Sequence, residues 1–371
     1  MGLGECTRLR HGTAFTPSHM TTNTPHWLQR QLSLPHPILQ APMAGSQDHQ
    51  LAVAVARAGG LGALAAATLT PDGLVQEIKR FRQAIQAPLN VNFFCHQPPE
   101  PSESALQTWH QALAPYYREM GLDPNAMPRG AGRQPFTAQW LDVLQTLRPE
   151  VVSFHFGLPE PRLLAAVKAT GALVLSSATT AAEALWLAEN GADAIIAQGL
   201  EAGGHRGHFL SPDLNAQSGL MSLLPQLATT ITRPIIAAGG IASPQAVQAC
   251  QALGAAAVQV GTAFLRTPEA CTTTLHRAAL AQAANRPTTL THLFTGRPAR
   301  GLINRIMKEL GPLNPAAPAF PLATAALAPL RERAEQAGLD DFSPLWAGQS
   351  ASQARVQPAG EVVTRLASGW Q

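Results

Sequence analysis

Ala194-Ile-Ile-Ala-Gln198-Gly199-Leu-Glu201-Ala-Gly203-Gly204-His205-Arg206-Gly207-His208 joins an apolar run, short enough for a buried strand, to a loop with four glycines, two histidines, a glutamate and an arginine. A strand that ends abruptly in glycine and polar residues is where a parallel α/β protein builds its reaction site. The glycines let backbone N–H groups approach a flat or anionic ligand closely. His205 is the group in this loop whose ordinary pKa suits proton transfer near neutrality.

On both sides of this stretch the chain alternates short apolar runs with polar or glycine breaks and segments of helical period. Such alternation predicts βα units around a parallel sheet. Strands are expected at Pro37–Met43, Leu61–Ala67, Pro88–Phe94, Val151–Gly157, Ala172–Ser176, Ala194–Gln198, Pro234–Gly240 and Ala255–Val260. Helix signals follow several of them. Thr70-Pro71 opens one helix as N-cap and first-turn proline, and Gly191 closes another over Ala181–Asn190. Eight such strands predict a closed (β/α)8 TIM barrel. A doubly wound sheet would carry a glycine fingerprint after its first strand, and Ala41-Pro42-Met43-Ala44-Gly45 has none.

Three segments fall outside this repeat. Residues 1–30, most clearly Met1 to Pro25, are read as a disordered leader without the apolar stretch of a signal peptide, and Met20 is a second candidate start. The barrel is assigned to residues 31–267. Within it residues 96–145, proline-rich from His96 to Pro135, form an insertion after the third strand, either a partial lid over the mouth or a disordered excursion. Residues 268–371 are expected to be a helical C-terminal extension packed on the barrel.

Bulk properties narrow the function class. The 371 residues are 46% hydrophobic and 13% charged, and the net charge of +3 comes from scattered basic residues, which argues against nucleic-acid binding. No apolar run is long enough to span a bilayer. Cys6, Cys95, Cys250 and Cys271 have no CxxC or metal spacing and read as reduced, mostly buried thiols of a cytoplasmic protein. His205 and His208 lie three apart on a glycine loop with no cysteine or paired carboxylate nearby, so no metal is expected.

The strongest ligand signal comes from the last two strands. Ala238-Gly239-Gly240-Ile241-Ala242-Ser243 and Gln259-Val260-Gly261-Thr262 put glycines and hydroxyls at two adjacent strand ends, where barrels commonly hold a phosphate on backbone N–H groups. Ser243, ahead of Pro244, is equally a helix N-cap. Met43, Asn92, Gln198 and Gly203 would project at the same face. Amide side chains and a sulfur beside open backbone suit the polar edge and apolar ring of a flavin.

Pro37-Ile-Leu-Gln-Ala-Pro-Met-Ala-Gly45, Leu89–Phe94, Val152–Pro159, Ala197–Gly207, the Ala-Ala-Gly-Gly-Ile-Ala run and Gln259–Leu265 together resemble the nitronate monooxygenase family. The resemblance runs from about Pro37 to Arg305, and Leu345–Gln349 also looks like the family. It implies a barrel that holds FMN without a covalent bond. Asn92, Gln198, Gly203, Gly240, Gln259, Val260, Gly261 and Thr262 would be flavin contacts and His205 the catalytic histidine. His155 matches a histidine lining the same cavity, either a substrate-binding group or a strand-end histidine satisfied by hydrogen bonds.

The implied reaction is oxidation of alkyl nitronates, such as propionate 3-nitronate, by dioxygen to carbonyl compounds and nitrite. His205 would act as base on the neutral nitroalkane or orient the nitronate. The partners are then small molecules only, on a monomer or homodimer. An NAD(P)H-dependent FMN reductase acting on quinones or enoyl-acyl-carrier-protein is the alternative on the same scaffold. A flavin-binding barrel without catalysis is a third reading.

Overall fold

Alternation of period two decides which side chains fill the barrel and which meet its helices. The computed structural model describes residues 26–371 except 101 and 131. In chain order the strands are β1 (Ile38–Gln40), β2 (Gly62–Ala65), β3 (Leu89–Phe94), β4 (Val151–His155), β5 (Leu173–Ala178), β6 (Ala194–Gln198), β7 (Gly204–His205), β8 (Ile235–Ala238), β9 (Ala257–Val260), β10 (Thr288–Thr291) and β11 (Ala299–Leu302). All but β7, β10 and β11 form one parallel sheet in the order β1-β9-β8-β6-β5-β4-β3-β2. Its edges meet: Leu39 bridges Leu61, and Leu61 N–H donates to the Ile38 carbonyl at 2.9 Å. The sheet is therefore the closed barrel expected from the repeats; seven of its strands lie inside an expected run, and β5 continues two residues past Ser176, to Ala178.

Along β3, Val91 and Phe93 pack outward against Leu74 and Ile78 of the helix Pro71–Ala84, while Asn92 points into the mouth. Thr70 caps that helix by accepting from Gly73 N–H, and Thr180 caps Ala181–Glu189 through Glu183 N–H. Gly191, at φ +105, ends the latter as its sequence position predicts. The lower end of the barrel is sealed by Leu39, Leu61, Val151, Leu175, Ala194 and Ala257 against Leu28, Leu32 and Leu34.

The boundaries differ from expectation in four places. The helix Trp27–Leu32 begins inside the segment read as leader, because Leu28 and Leu32 are needed for that lower seal; residues 1–25 lie outside the described residues. The insertion is shorter than 96–145. Phe136, Trp140, Val143 and Leu144 belong to the barrel's outer layer, and Leu141–Leu147 is the helix between β3 and β4. The part in between contains a helix, Glu103–Glu119, which packs on the helix Ala323–Gln336. There Trp109 Nε1 donates to the Ala323 carbonyl and Tyr117 Oη to the Ala326 carbonyl, at 3.2 and 2.6 Å.

The C-terminal extension is not wholly helical, since β10 and β11 pair antiparallel and β11 also pairs with β7. Its last helix, Ala359–Ala367, returns to the barrel. Val362, Val363 and Leu366 pack beside Ile38 and Val55, and Arg365 donates to the Ala242 carbonyl at 2.9 Å. This helix fills the eighth place in the outer ring, so the barrel is not complete by residue 267. Among the described cysteines, Cys250 is buried, Cys95 half-buried and Cys271 exposed; all are free, and Cys6 lies outside the described residues.

Candidate active site

The C-terminal ends of the barrel strands open into a cleft of about 1320 Å³, counting its mouth. Met43, Asn92, His155, Gln198, Gly203, His205, Gly240, Gln259, Val260, Gly261 and Thr262 all line it. The geometry separates groups that hold the cleft together from groups left free toward it.

His205 is fixed by elements far apart in sequence. Its strand β7 pairs with β11, placing His205 opposite Ala299. Its Nε2 lies 2.9 Å from Oγ1 of Thr295. Rings of Phe94, Phe156, Phe320 and Trp346 surround the imidazole at centroid distances of 5.4–6.1 Å. Burial, and next the Arg133 charge, hold the His205 pKa well below the ordinary histidine value, so the ring is neutral near pH 7.

Gln198 and His155 both grip the loop at His205. Gln198 donates from Nε2 to the His205 carbonyl at 2.9 Å and accepts from Gly207 N–H at 2.8 Å. His155 Nε2 lies 3.2 Å from the same carbonyl, which can only accept, so Nε2 carries the proton. His155 Nδ1 then accepts from Ser177 Oγ at 3.0 Å. Burial pushes His155 down to about 3. Both of its nitrogens are engaged within the protein, the arrangement of a satisfied strand-end histidine.

Arg206 is fully buried and donates to Gln217 Oε1 and to the carbonyls of Gly199 and Gln198 at 2.7–2.9 Å. Glu201 accepts from Leu220 N–H at the start of the helix Leu220–Thr230. Both order the loop. Gly203 has no room for a side chain: a Cβ there would stand 2.6 Å from the Ala347 carbonyl carbon and Gly348 N. Gly348 N–H in turn donates to Thr262 Oγ1 at 2.9 Å.

Opposite His205 the wall is short of partners. Among the described residues, the backbone N–H groups of Gly240, Gly261 and Thr262 have no acceptor. Gln259 Oε1 is buried with no donor. Asn92 Nδ2 donates to Ser153 Oγ at 3.0 Å, which leaves its Oδ1 without a protein partner. Ser243 caps the helix Pro244–Ala252 through Ala246 N–H. Buried polar groups are normally satisfied, so an unpaired set on one wall fits a ligand with an anionic tail and polar ring edges.

Sequence reasoning missed several residues. Arg133 reaches the cleft from the insertion. Thr295 and Trp346 come from the extension. Phe156 adopts φ +72, a conformation few side chains take, and its ring lies 4.0 Å beneath the Arg297 guanidinium. Arg297 also donates to the His208 carbonyl. Nothing local in Thr295-Gly296-Arg297 shows that it meets His205.

Residues 27–369 match the protein-family model NMO, nitronate monooxygenase. The chain belongs to the nitronate monooxygenase family. That makes it an oxidoreductase, as the motifs implied. A nitronate monooxygenase of Paraburkholderia phytofirmans is 39% identical over 339 residues, covering 90% of this chain and 92% of the relative. One from Pseudomonas aeruginosa is 38% identical, covering 91% and 97%. Among solved structures, nitroalkane oxidase from Streptomyces ansochromogenes matches with a TM-score of 0.84 at 42% identity, over 92% of this chain and 97% of that one. FabK from Thermotoga maritima matches with a TM-score of 0.70 at 26% identity, over 92% and 95%. In this chain the glycine loop of the barrel meets the C-terminal extension, Gly203 lying against Ala347 and Gly348. Among the described residues no helix is long and apolar enough to cross a membrane.

Proposed function

We propose that the chain is an FMN-dependent nitronate monooxygenase, oxidising alkyl nitronates such as propionate 3-nitronate with dioxygen to carbonyl compounds and nitrite. The observation that carries this reading is the pairing of a neutral, cleft-facing His205 with unpaired donors at Gly240, Gly261 and Thr262 across the cleft. Those N–H groups would hold the FMN phosphate, and Gln259 and Asn92 would meet polar atoms of the flavin. When bound, FMN supplies the redox chemistry, accepting electrons from the nitronate and passing them to dioxygen.

The chain's own residues bind, orient and move a proton. Thr295 Oγ1 has the Arg297 carbonyl as acceptor at 3.4 Å, so its lone pair can take the proton-bearing Nε2 of His205. That tautomer leaves Nδ1 as the base for the α-proton of a nitroalkane, or as the partner that orients a nitronate. Gln198 and His155 keep the loop in place by holding its carbonyl. The aromatic wall limits water around the imidazole and leaves the substrate an apolar surface.

The test is the visible spectrum of the purified protein and identification of the released chromophore, followed by oxygen uptake and nitrite release with propionate 3-nitronate. FMN at one per chain and nitrite in step with oxygen consumed are expected. A colourless protein that takes up no FMN refutes the reading.

A further inference from the structure

We infer that Arg133 is the counter-ion for an oxyanion carried by the substrate. This rests on the proposed nitronate chemistry for the kind of substrate, but on the cleft alone for the charge. Arg133 is the one permanently charged residue lining the cleft among the described residues, and no aspartate or glutamate lines it. Its guanidinium makes no ion pair or hydrogen bond with a described residue, and its Nε is buried without an acceptor. The other cationic side chains near His205, Arg206 and Arg297, both donate to loop carbonyls.

A half-buried cation without an anion is costly, and an anionic ligand removes that cost. The position points to substrate and not to the cofactor's phosphate. Arg133 belongs to the connection after β3, which lies across the barrel from the β8 and β9 tips that carry the unpaired N–H groups. It shares its side of the cleft with His205, where the reacting carbon must sit. A planar guanidinium matches the paired oxygens of a nitronate or a carboxylate equally well. The shared chemistry is therefore a two-oxygen monoanion, either the nitronate group or a carboxylate elsewhere on the same substrate.

The experiment uses holoenzyme carrying Arg133→Gln or Arg133→Lys. Steady-state rates are measured with propionate 3-nitronate and with propyl 1-nitronate, alongside FMN content and thermal midpoint. A KM raised about tenfold or more in Arg133→Gln, with kcat within about threefold and partial recovery in Arg133→Lys, is expected for loss of one charge-assisted contact. A rise confined to propionate 3-nitronate assigns the contact to the carboxylate, and a rise for both assigns it to the nitronate. Unchanged KM for both overturns the inference, as does an equal loss of FMN and thermal midpoint in both variants.

Binding of 3-nitropropanoate, read from the shift in flavin absorbance or thermal midpoint, is independent of turnover. If the native chain oxidises no nitronate, binding that weakens in Arg133→Gln still supports the arginine's role. Equal binding by both proteins removes it.

Discussion

His205 Nε2 and Thr295 Oγ1 stand 2.9 Å apart although ninety residues separate them in sequence. The barrel loop supplies the imidazole, and the C-terminal extension fixes its orientation. The extension therefore helps to build the candidate site.

Removing that hydroxyl should loosen the ring without emptying the cleft. Thr295→Ala is expected to lower kcat about 3- to 10-fold, the effect of one hydrogen bond of about 1 kcal/mol, while Thr295→Ser keeps most activity. Oxygen-electrode rates at constant FMN content check this.

Replacing His205 itself should cost far more on one substrate than on the other. His205→Asn is expected to lower turnover of a neutral nitroalkane about 10²–10⁴-fold, because a proton must leave carbon. Turnover of the preformed nitronate should fall less. Equal loss on both would make the residue an orienting group only.

Acid should destabilise the fold in a defined window. Burial holds His155 near 3 and His96, His208 and His276 near 4. In the unfolded chain these histidines take up protons near pH 6.5, so between about pH 6.5 and 4 the unfolded state binds more protons. Their contribution is complete above pH 6.5 and is lost as pH falls through that window. Urea midpoints at pH 7.5, 5.5 and 4.5 should decline in that order, and a flat or rising series contradicts the assignment.

Two glycines should respond differently to the same change. Gly203→Ala drives a Cβ to 2.6 Å from backbone atoms of Ala347 and Gly348, so one segment must shift, at about 1–3 kcal/mol. FMN retention should fall with it. Gly121→Ala, at φ +69 with nothing within 4 Å, should cost only about 1–2 kcal/mol of backbone strain and leave FMN content unchanged. Thermal midpoints and the flavin-to-protein absorbance ratio separate the two.

The closing helix offers a stability test remote from the cleft. Leu366 is fully buried, and Leu366→Ala should cost about 2–5 kcal/mol with activity per folded molecule preserved. Chemical denaturation followed by circular dichroism measures it.

Much of this was legible in the sequence because it is local. Most barrel strands are apolar runs that give way to glycine or a polar residue, and each identified cap lies within a few residues of the group it satisfies. The expected cleft residues, such as Asn92, Gln198 and Gln259, sit at or beside those strand ends for the same reason. What was not legible depends on packing between distant segments. Val362, Val363 and Leu366 form an ordinary amphipathic stripe, and nothing in the stripe says that it docks beside Ile38 and Val55. The strands β10 and β11 pair antiparallel with each other, and β11 also pairs with β7, partners that no local pattern in either segment announces. Nothing local to His155 shows that Ser177 and the His205 carbonyl engage both its nitrogens. Arg133 stands out only once the cleft is seen to contain no carboxylate.

Anaerobic mixing of the purified holoprotein with propionate 3-nitronate, and separately with NADH and NADPH, distinguishes nitronate oxidation from pyridine-nucleotide oxidation at this cleft. Rapid bleaching of the flavin band by the nitronate, with neither pyridine nucleotide able to produce it, is the predicted result. Bleaching by NADH or NADPH and none by the nitronate would contradict the account and identify a reductase on the same barrel.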